Sequence, residues 1–571
     1  MNIKEELKKL VENSLKSLGY ETVVVIETPK DPTHGDFSTN AAMRLAGQLK
    51  KSPEDIAEEI VEKMQESDLV DSVEVMNPGF INFTLSPEIY KNIISQISEQ
   101  KDNFGKSDFG ENKEVMIEFG QPNTHKAFHV GHLKSAVSGL SMVKLHENLG
   151  YKVIKANFFG DVGMQVAKTT WAYMHAEVPT DFESWDHNAK MKFIDDCYVK
   201  GATSFKEDPS AEKEIRQINK DIYAGTDNES VKTYKYLREK SLEHQSEIWK
   251  SLGIKFDREY PESEIQAEAI EIVKKHIGDI FEESEGAIIF KGEKIGLNNW
   301  VFLTSEGNPT YSAKDLGLAH KKFEEYPNME KGIVTTSVEQ KDYFRAVIHI
   351  LNIIQPETKG RYFHIPFGWM LRGNKKFSSR MGGSIKGMDV LNEIEEVAYK
   401  KISELRDYTE EEKKDIVHKV SIAGLKFLIL SHEFHKDFNY DPEQFLSFEG
   451  YSGPYLLYTY ARANSILTKS EELKSYDLKN ALKSESELNL LKLLNAYPDT
   501  AKDSGINIAP HTICNYLYDL SQAYNSFYAN CRVLNAETED DKNARIALTQ
   551  ATAQVLKNGL NLLGIDVVEK M

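Results

Sequence analysis

Between residues 114 and 161 the chain reads EVMIEFGQPNTHKAFHVGHLKSAVSGLSMVKLHENLGYKVIKANFFGD. Few folds accommodate that order of patterns. VMIEF has the length and apolarity of a short buried strand. Leu133, Ala136, Val137, Leu140 and Val143 recur at helical spacing, so a helix begins near Gly131 or His132. YKVIKANFF reads as a second strand. Strand, loop, helix and strand make a βαβ unit, whose right-handed crossover leaves its strands parallel. GIVTTSV and YFHIPFGWML add further strands beside helical patterns. The expected core is a doubly wound, Rossmann-like parallel α/β sheet.

The rest of the chain divides around that core. Residues 1–107 read as a separate α+β unit. Helical patterns there surround PKDPTHGDFSTNAAMRLA, and DSVEVMNPGFINFTL supplies two strand-like runs broken by a Pro-Gly turn. EQKDNFGKSDFGENK follows as a linker or strap. Residues 108–390 form the α/β domain, with a helical, charged insertion at about 165–275. Residues 391–571 are almost wholly helical in pattern and fit an all-α bundle. A multidomain α/β protein of three parts is consistent with 571 residues.

Composition narrows the function classes. Hydrophobic residues make up 40% and charged residues 28%, the balance of an ordinary globular chain. The longest apolar runs fall far short of the roughly eighteen residues a membrane span needs. MNIKEELKKLVENSLKSLGY reads as an amphipathic helix without the apolar region of a signal peptide. Cys197, Cys514 and Cys531 form no CxxC pair, so a reducing cytoplasm and no structural metal are expected. The formal net charge of −19 argues mildly against a nucleic-acid partner, though local patches decide that question.

The loop between the first strand and its helix carries the chemistry. Parallel sheets bind ligands at such loops. A helix start offers free N–H groups and partial positive charge to an anion. Gly131 permits close approach, and His129 and His132 can donate hydrogen bonds to phosphate oxygens. A metal site fits less well, because helical ligand pairs sit four apart and here the spacing is three. Ordinary loop histidines remain an alternative. Further along, Tyr311 and Asp315 lie four apart on one face of a helix beginning near Ser312. Ser312 and Asp315 alone could equally be a helix cap, Glu118 a solvent-facing strand end, and KKFSSRMGGSI a flexible loop.

IEFGQPNTHKAFHVGHLKSA resembles the HIGH signature of class I aminoacyl-tRNA synthetases, in the form used by the arginyl enzymes; the motif proper runs from Pro122 to His132. The resemblance extends over almost the whole chain and in family order. PTHGDFSTNAA and NPGFINF resemble the family's N-terminal domain, GDVGMQ its GDWGTQ, PTYSAKDL its TYxxxDL element and VEQKDYF its EQxxHF element. KKFSSR stands where the family's KMSxR loop stands. SFEGYSGPYLLYTYAR, YLYDLSQAYNSFYANCRVL and QVLKNGLNLLGI resemble its anticodon-binding domain. The chain departs from the family at Gln121 (in GQPN for SSPN), Val162 (for the tryptophan of GDWG), Phe377, Arg380 and Met381.

The resemblance implies an enzyme that activates L-arginine with ATP and Mg²⁺ and transfers it to the terminal ribose of tRNA(Arg). By the same resemblance Glu118, Tyr311 and Asp315 hold the guanidinium, and Asn123 and Gln340 hold the α-amino and carboxylate end. His129, Gly131, His132, Lys376, Ser378, Ser379 and Arg380 bind ATP. Lys126, His129, His132 and Lys376 act on the reacting phosphates, with Lys126 supplying a cation that the altered second loop lacks. Tyr516, Tyr518, Tyr524, Phe527 and Tyr528 fall in the anticodon segment, most of them as core. A planar guanidinium rich in donors calls for carboxylates, which suits this set. The expected protein is a cytoplasmic monomer without membrane contact. A class I lysyl-tRNA synthetase and a non-catalytic tRNA-binding relative are the competing readings.

Overall fold

The structure, a computed structural model, describes residues 3–29, 34–373, 375–376, 386–405, 408–470, 482 and 484–571. In the N-terminal part, helices α1 (Ile3–Leu18), α2 (Ala41–Leu49), α3 (Pro53–Glu62) and α4 (Pro87–Gln100) accompany strands β1 (Phe37–Thr39), β2 (Val70–Met76) and β3 (Phe80–Leu85). The strands form an antiparallel sheet in the order β1-β3-β2. The Pro-Gly turn lies between β2 and β3, as the sequence implies.

The central sheet has the order β11-β10-β4-β5-β6 and is parallel throughout. Its strands are β4 (Glu114–Glu118), β5 (Lys152–Phe159), β6 (Arg258–Pro261), β10 (Lys331–Ser337) and β11 (Tyr362–Phe367). The alternation along β4 explains why both faces are covered. Val115 and Ile117 pack into one core with helix α5 (Val130–Asn148) and the C-terminal helices. Met116 points the other way, into a core built with α10 (Glu262–Lys275), α11 (Tyr311–Glu325) and α12 (Lys341–Ile354). Strands buried on both faces read as unbroken apolar runs, and VMI does.

The helical insertion comprises α6 (Met164–Met174), α7 (His187–Glu207), α8 (Pro209–Ala224) and α9 (Glu229–Ser251). It stops earlier than the expected limit near 275, because Arg258–Pro261 returns to the sheet as its edge strand. REYP has no apolar run to announce it, and a proline is tolerated only at such an edge. A small antiparallel sheet of β7 (Glu282–Ser284), β8 (Ala287–Phe290) and β9 (Trp300–Leu303) was not expected at all. After β12 (Met370–Arg372) and β13 (Lys375–Lys376), the described elements are helices apart from the short β14 (Phe438–Asn439): α13 (Gly387–Leu405), α14 (Glu410–Leu430), α15 (Pro442–Phe445), α16 (Gly453–Lys469), α17 (Glu485–Asn507), α18 (Pro510–Asn530) and α19 (Glu539–Leu562). No described helix is long and apolar enough to cross a membrane.

Helix α5 sits unusually close to the sheet. A Cβ at Gly139 would lie 2.1 Å from the ring of Phe119, which is itself fully buried. Overpacking of this kind typically costs about 1–3 kcal/mol. Gly139→Ala is therefore expected to lower the thermal unfolding midpoint measurably, and an unchanged midpoint would contradict the tight approach of α5 to β4.

Candidate active site

Residues 119–129 connect β4 to α5 across the carboxyl end of the sheet. Backbone groups of the loop are tied to neighbouring elements. Gly120 N–H donates to Ser135 Oγ at 2.9 Å, Gln121 N–H to Asn157 Oδ1 at 3.1 Å and Thr124 N–H to the Gly160 carbonyl at 2.9 Å. Gln121 and His125 hold positive φ angles of 55° and 61°, which these ties stabilise.

The two histidines cap the helix that follows. His129 Nδ1 accepts from Gly131 N–H at 3.1 Å, and His132 Nδ1 accepts from His129 N–H at 3.3 Å. Their rings stack with centroids 3.5 Å apart. Burial, followed by the charge of Lys126, pushes His129 down to about 4. Burial, the neighbouring His129 and Lys126 hold His132 well below the ordinary range. Both imidazoles are thus neutral at pH 7. With each Nδ1 accepting, the proton sits on Nε2, leaving each ring one free N–H donor. Helix α5 begins at Val130, slightly ahead of the sequence expectation.

A cavity of about 850 Å³ opens here, and His129, Gly131 and His132 line it together with Glu118, Asn123, Tyr311, Asp315 and Gln340. Eight of the expected residues therefore share one space. Asn123 Oδ1 accepts from Gly160 N–H at 3.2 Å, and a Cβ at Gly160 would lie 2.4 Å from that oxygen. Glycine at that position leaves room for Asn123. Helix α11 starts at Tyr311, whose side chain stands 58% exposed at the rim with its hydroxyl 3.5 Å from Gln165 Oε1. Asp315, one turn further, accepts a hydrogen bond from the Tyr343 hydroxyl. Burial, offset in part by that bond and raised further by nearby Glu118, pushes Asp315 up to about 7.

Glu118 is buried, so the solvent-facing reading of this strand end is set aside. Its carboxylate pairs with Lys322 and accepts from Gln121 Nε2 at 2.9 Å. Lys126 does not line the cavity. Its ammonium rests 5.3 Å from the centroid of the Tyr198 ring in α7. Lys376 lies in β13, and only its backbone, paired with Leu371, is described. Phe377, Ser378, Ser379, Arg380 and Met381 lie outside the described residues.

Sequence reasoning passed over several groups that build the site. Lys322 follows Asp315 by seven residues, two helical turns, and that spacing could have flagged it. Nothing local marks Tyr343. Asp195 of the insertion accepts from Ala127 N–H at 2.9 Å and pairs with Lys386 at 3.0 Å, joining the signature loop to the start of the helical bundle. Val162 fills an apolar core with Val166 and Ala167.

Known proteins match this arrangement along the full chain. Residues 2–85 match the sequence family "Arginyl tRNA synthetase N terminal domain", 93–442 "tRNA synthetases class I (R), catalytic domain" and 456–571 "DALR anticodon binding domain". The arginine–tRNA ligase of Clostridium perfringens is 33% identical over 574 residues, covering 99% of this chain and all of the relative. Arginine–tRNA ligase 2 of Bacillus anthracis is 31% identical, covering 99% of each. The fold matches arginyl-tRNA synthetase structures from Thermus thermophilus (TM-score 0.78, 23% identity, 100% of both chains) and Plasmodium falciparum (TM-score 0.77, 21% identity, 100% of this chain and 99% of that one). These likenesses favour the arginine enzyme over both the lysyl and the non-catalytic readings. On this evidence the chain belongs to the class I arginyl-tRNA synthetases, which join arginine to tRNA at the expense of ATP.

Proposed function

We propose that the cavity orders its substrates along the line from α11 to the start of α5. The guanidinium of L-arginine lies against Asp315 and Tyr311 with Glu118 behind, and Asn123 and Gln340 take the α-amino and carboxylate end. ATP, arriving with its Mg²⁺, lays its phosphates toward the Nε2–H donors of His129 and His132 and the open helix start at Gly131. The second signature loop, with Lys376, Ser378, Ser379 and Arg380, completes the ATP site. The observation that carries this reading is Asp315: a carboxylate on the cavity wall that forms no ion pair among the described residues.

In the first step a carboxylate oxygen of arginine attacks the α-phosphorus, a P–O bond breaks and pyrophosphate leaves. In the second the terminal ribose hydroxyl, 2′ in this class, attacks the adenylate carbonyl and AMP leaves. Positioning and charge stabilisation carry both steps, with no covalent enzyme intermediate. Lys126 is the proposed cation for the phosphates. Its charge already bears on both imidazoles, which supports its reach to that region.

The domain roles follow the same reading, with 1–107 contacting tRNA, 108–390 holding the chemistry and 391–571 reading the anticodon. Tyr516, Tyr524 and Phe527 are core residues, whereas Tyr528 is 45% exposed. The Arg462 guanidinium lies 4.7 Å from the Tyr458 ring centroid and 5.3 Å from that of Tyr528, forming a platform on which an unstacked base can lie. A cytoplasmic monomer completes the proposal.

Three measurements test it. Asp315→Ala leaves guanidinium donors unpaired, and losses at such sites run roughly 10²–10⁵-fold. The arginine KM for aminoacylation is expected to rise accordingly, and wild-type arginine dependence in a folded variant would remove Asp315 from the site. The pH dependence has a definite sign. Arginine stays cationic and favours ionised Asp315, so binding takes up no proton above pH 7 and displaces one below it. Arginine affinity by calorimetry should therefore be flat from pH 7.5 upward and weaken by up to about tenfold per unit below 7. A flat profile from pH 6 to 8 would contradict this. Finally, Lys126→Ala should lower kcat for adenylate formation by about 10²–10³ with arginine KM nearly unchanged. Unaltered turnover would exclude Lys126 as the phosphate cation.

A further inference from the structure

The wall of the cavity around α11 carries more charge than an apolar interior tolerates singly. Glu118 and Glu262 are each 2% exposed, and Asp315 faces the same space. Two of these carboxylates are cancelled by lysines from the same helix that bears Asp315. Lys314, one residue before Asp315, pairs with Glu262 at 2.8 Å. Lys322, seven residues after it and 1% exposed, pairs with Glu118 and also donates to the Tyr362 hydroxyl at 3.2 Å. Both Glu118 oxygens are committed, one to Lys322 and the other to Gln121. Asp315 keeps one oxygen for Tyr343, and its Oδ1 takes no hydrogen bond among the described residues.

We infer that Lys322 is a positioning and specificity residue that neutralises Glu118, so that among Glu118, Glu262 and Asp315, the three acids clustered at α11, Asp315 alone meets the guanidinium without an ion pair among the described residues. The inference rests on the reading that Asp315 faces the guanidinium. Its consequence is selectivity by charge count. A wall with no net charge would not distinguish arginine from its neutral urea counterpart, citrulline. A wall with two unpaired carboxylates would take up a proton to relieve their repulsion, blurring the match. Lys322 prevents both by pairing with one of the acids, Glu118, and leaving the other to the ligand. The lysine is at the same time a latent competitor. If Glu118 loses its charge, the Lys322 ammonium is left without its carboxylate on the helix that bears Asp315, whose carboxyl already feels that charge.

That competition provides the test. Glu118→Gln, measured in the full-length protein by tRNA aminoacylation, is expected to raise the arginine KM at least ~100-fold, on the scale of a broken specific contact. It should also erode the preference for arginine over citrulline as competing ligand. Adding Lys322→Met removes the stranded cation. The Glu118→Gln/Lys322→Met double variant should return the arginine KM to within about tenfold of wild type and restore the preference, because removing a buried pair together is tolerated where removing one member is not. A double variant no better than Glu118→Gln would overturn the inference, since Glu118 would then serve the guanidinium directly and Lys322 would only pack. A double variant that fails to fold would overturn it too. Lys322→Met alone completes the cycle, and KM changes that simply add across the two positions would show no coupling between them. The outcome is separable from the underlying reading: Asp315→Ala with unchanged arginine KM removes the pocket itself, whereas failed rescue beside a crippled Asp315→Ala removes only the role of Lys322.

Discussion

The site exists because the chain changes direction at β4. From β4 the path runs outward through α5 to β5 and then to β6, and later returns to place β10 on the other flank of β4. Loops leaving the carboxyl ends of β4 and β10 therefore diverge, and a crevice opens between them. Glu118, Gln121 and Asn123 enter it from one side, and Thr336, Ser337 and Gln340 from the other. Everything else adjusts to that opening. Helix α5 approaches closely enough to require Gly139, so its N-terminus and the capping histidines end at the crevice floor.

Electrostatic order in the crevice comes from compensation. Lys134, a buried residue of α5, donates to the Gly368 carbonyl at 2.6 Å and lies 4.5 Å from the centroid of the Phe438 ring. Burial pushes its amine down to about 7. The histidines, kept neutral, add donors to the cavity without adding charge. The cavity has two unlike walls, neutral donors and a helix start on one side and carboxylates on the other, and in the proposed arrangement the anionic and cationic substrates divide between them. A formal charge of −19 for the whole chain said little about this. It weighed mildly against a nucleic-acid partner, and family membership overrules it, because short-range placement decides recognition.

The longer apolar strands were legible in the sequence, and the short or polar ones were hidden. β4 and β10 were readable because strands inside a parallel sheet are covered on both faces and need apolar runs, and β5 and the edge strand β11 still carry enough aromatic and β-branched residues to be read. β6 was not, since an edge strand of Arg, Glu, Tyr and Pro lacks that run. β7 to β9 are only three or four residues long, and no periodicity sets in over so few residues. In the site, spacing put Tyr311 and Asp315 on one helix face and His129 and His132 at a helix start, and the family resemblance assigned their roles. Tyr343 could not. It reaches Asp315 from α12, and a contact between different helices leaves no local trace. The position of Lys126 over Tyr198 was hidden for the same reason, since that ring belongs to the insertion.

The departures from the family pattern gain a physical account once their neighbours are seen. Gln121 stands where a small hydroxyl residue is usual. Its longer side chain reaches Glu118, while Ser135 Oγ donates to its Oε1 at 3.2 Å. The amide thus links the strand end to α5, a distance a serine side chain would leave to water. Val162 replaces an aromatic residue, yet it is 3% exposed and packed among Val166 and Ala167. There the requirement is apolar volume, which several residue types meet. The two substitutions differ in kind. One exchanges a hydrogen-bonding group for a longer one and rebuilds the contact, and the other lies in a core that needs only to be filled. Neither displaces the Lys322–Glu118 and Lys314–Glu262 pairs beside Asp315, which itself forms no ion pair among the described residues.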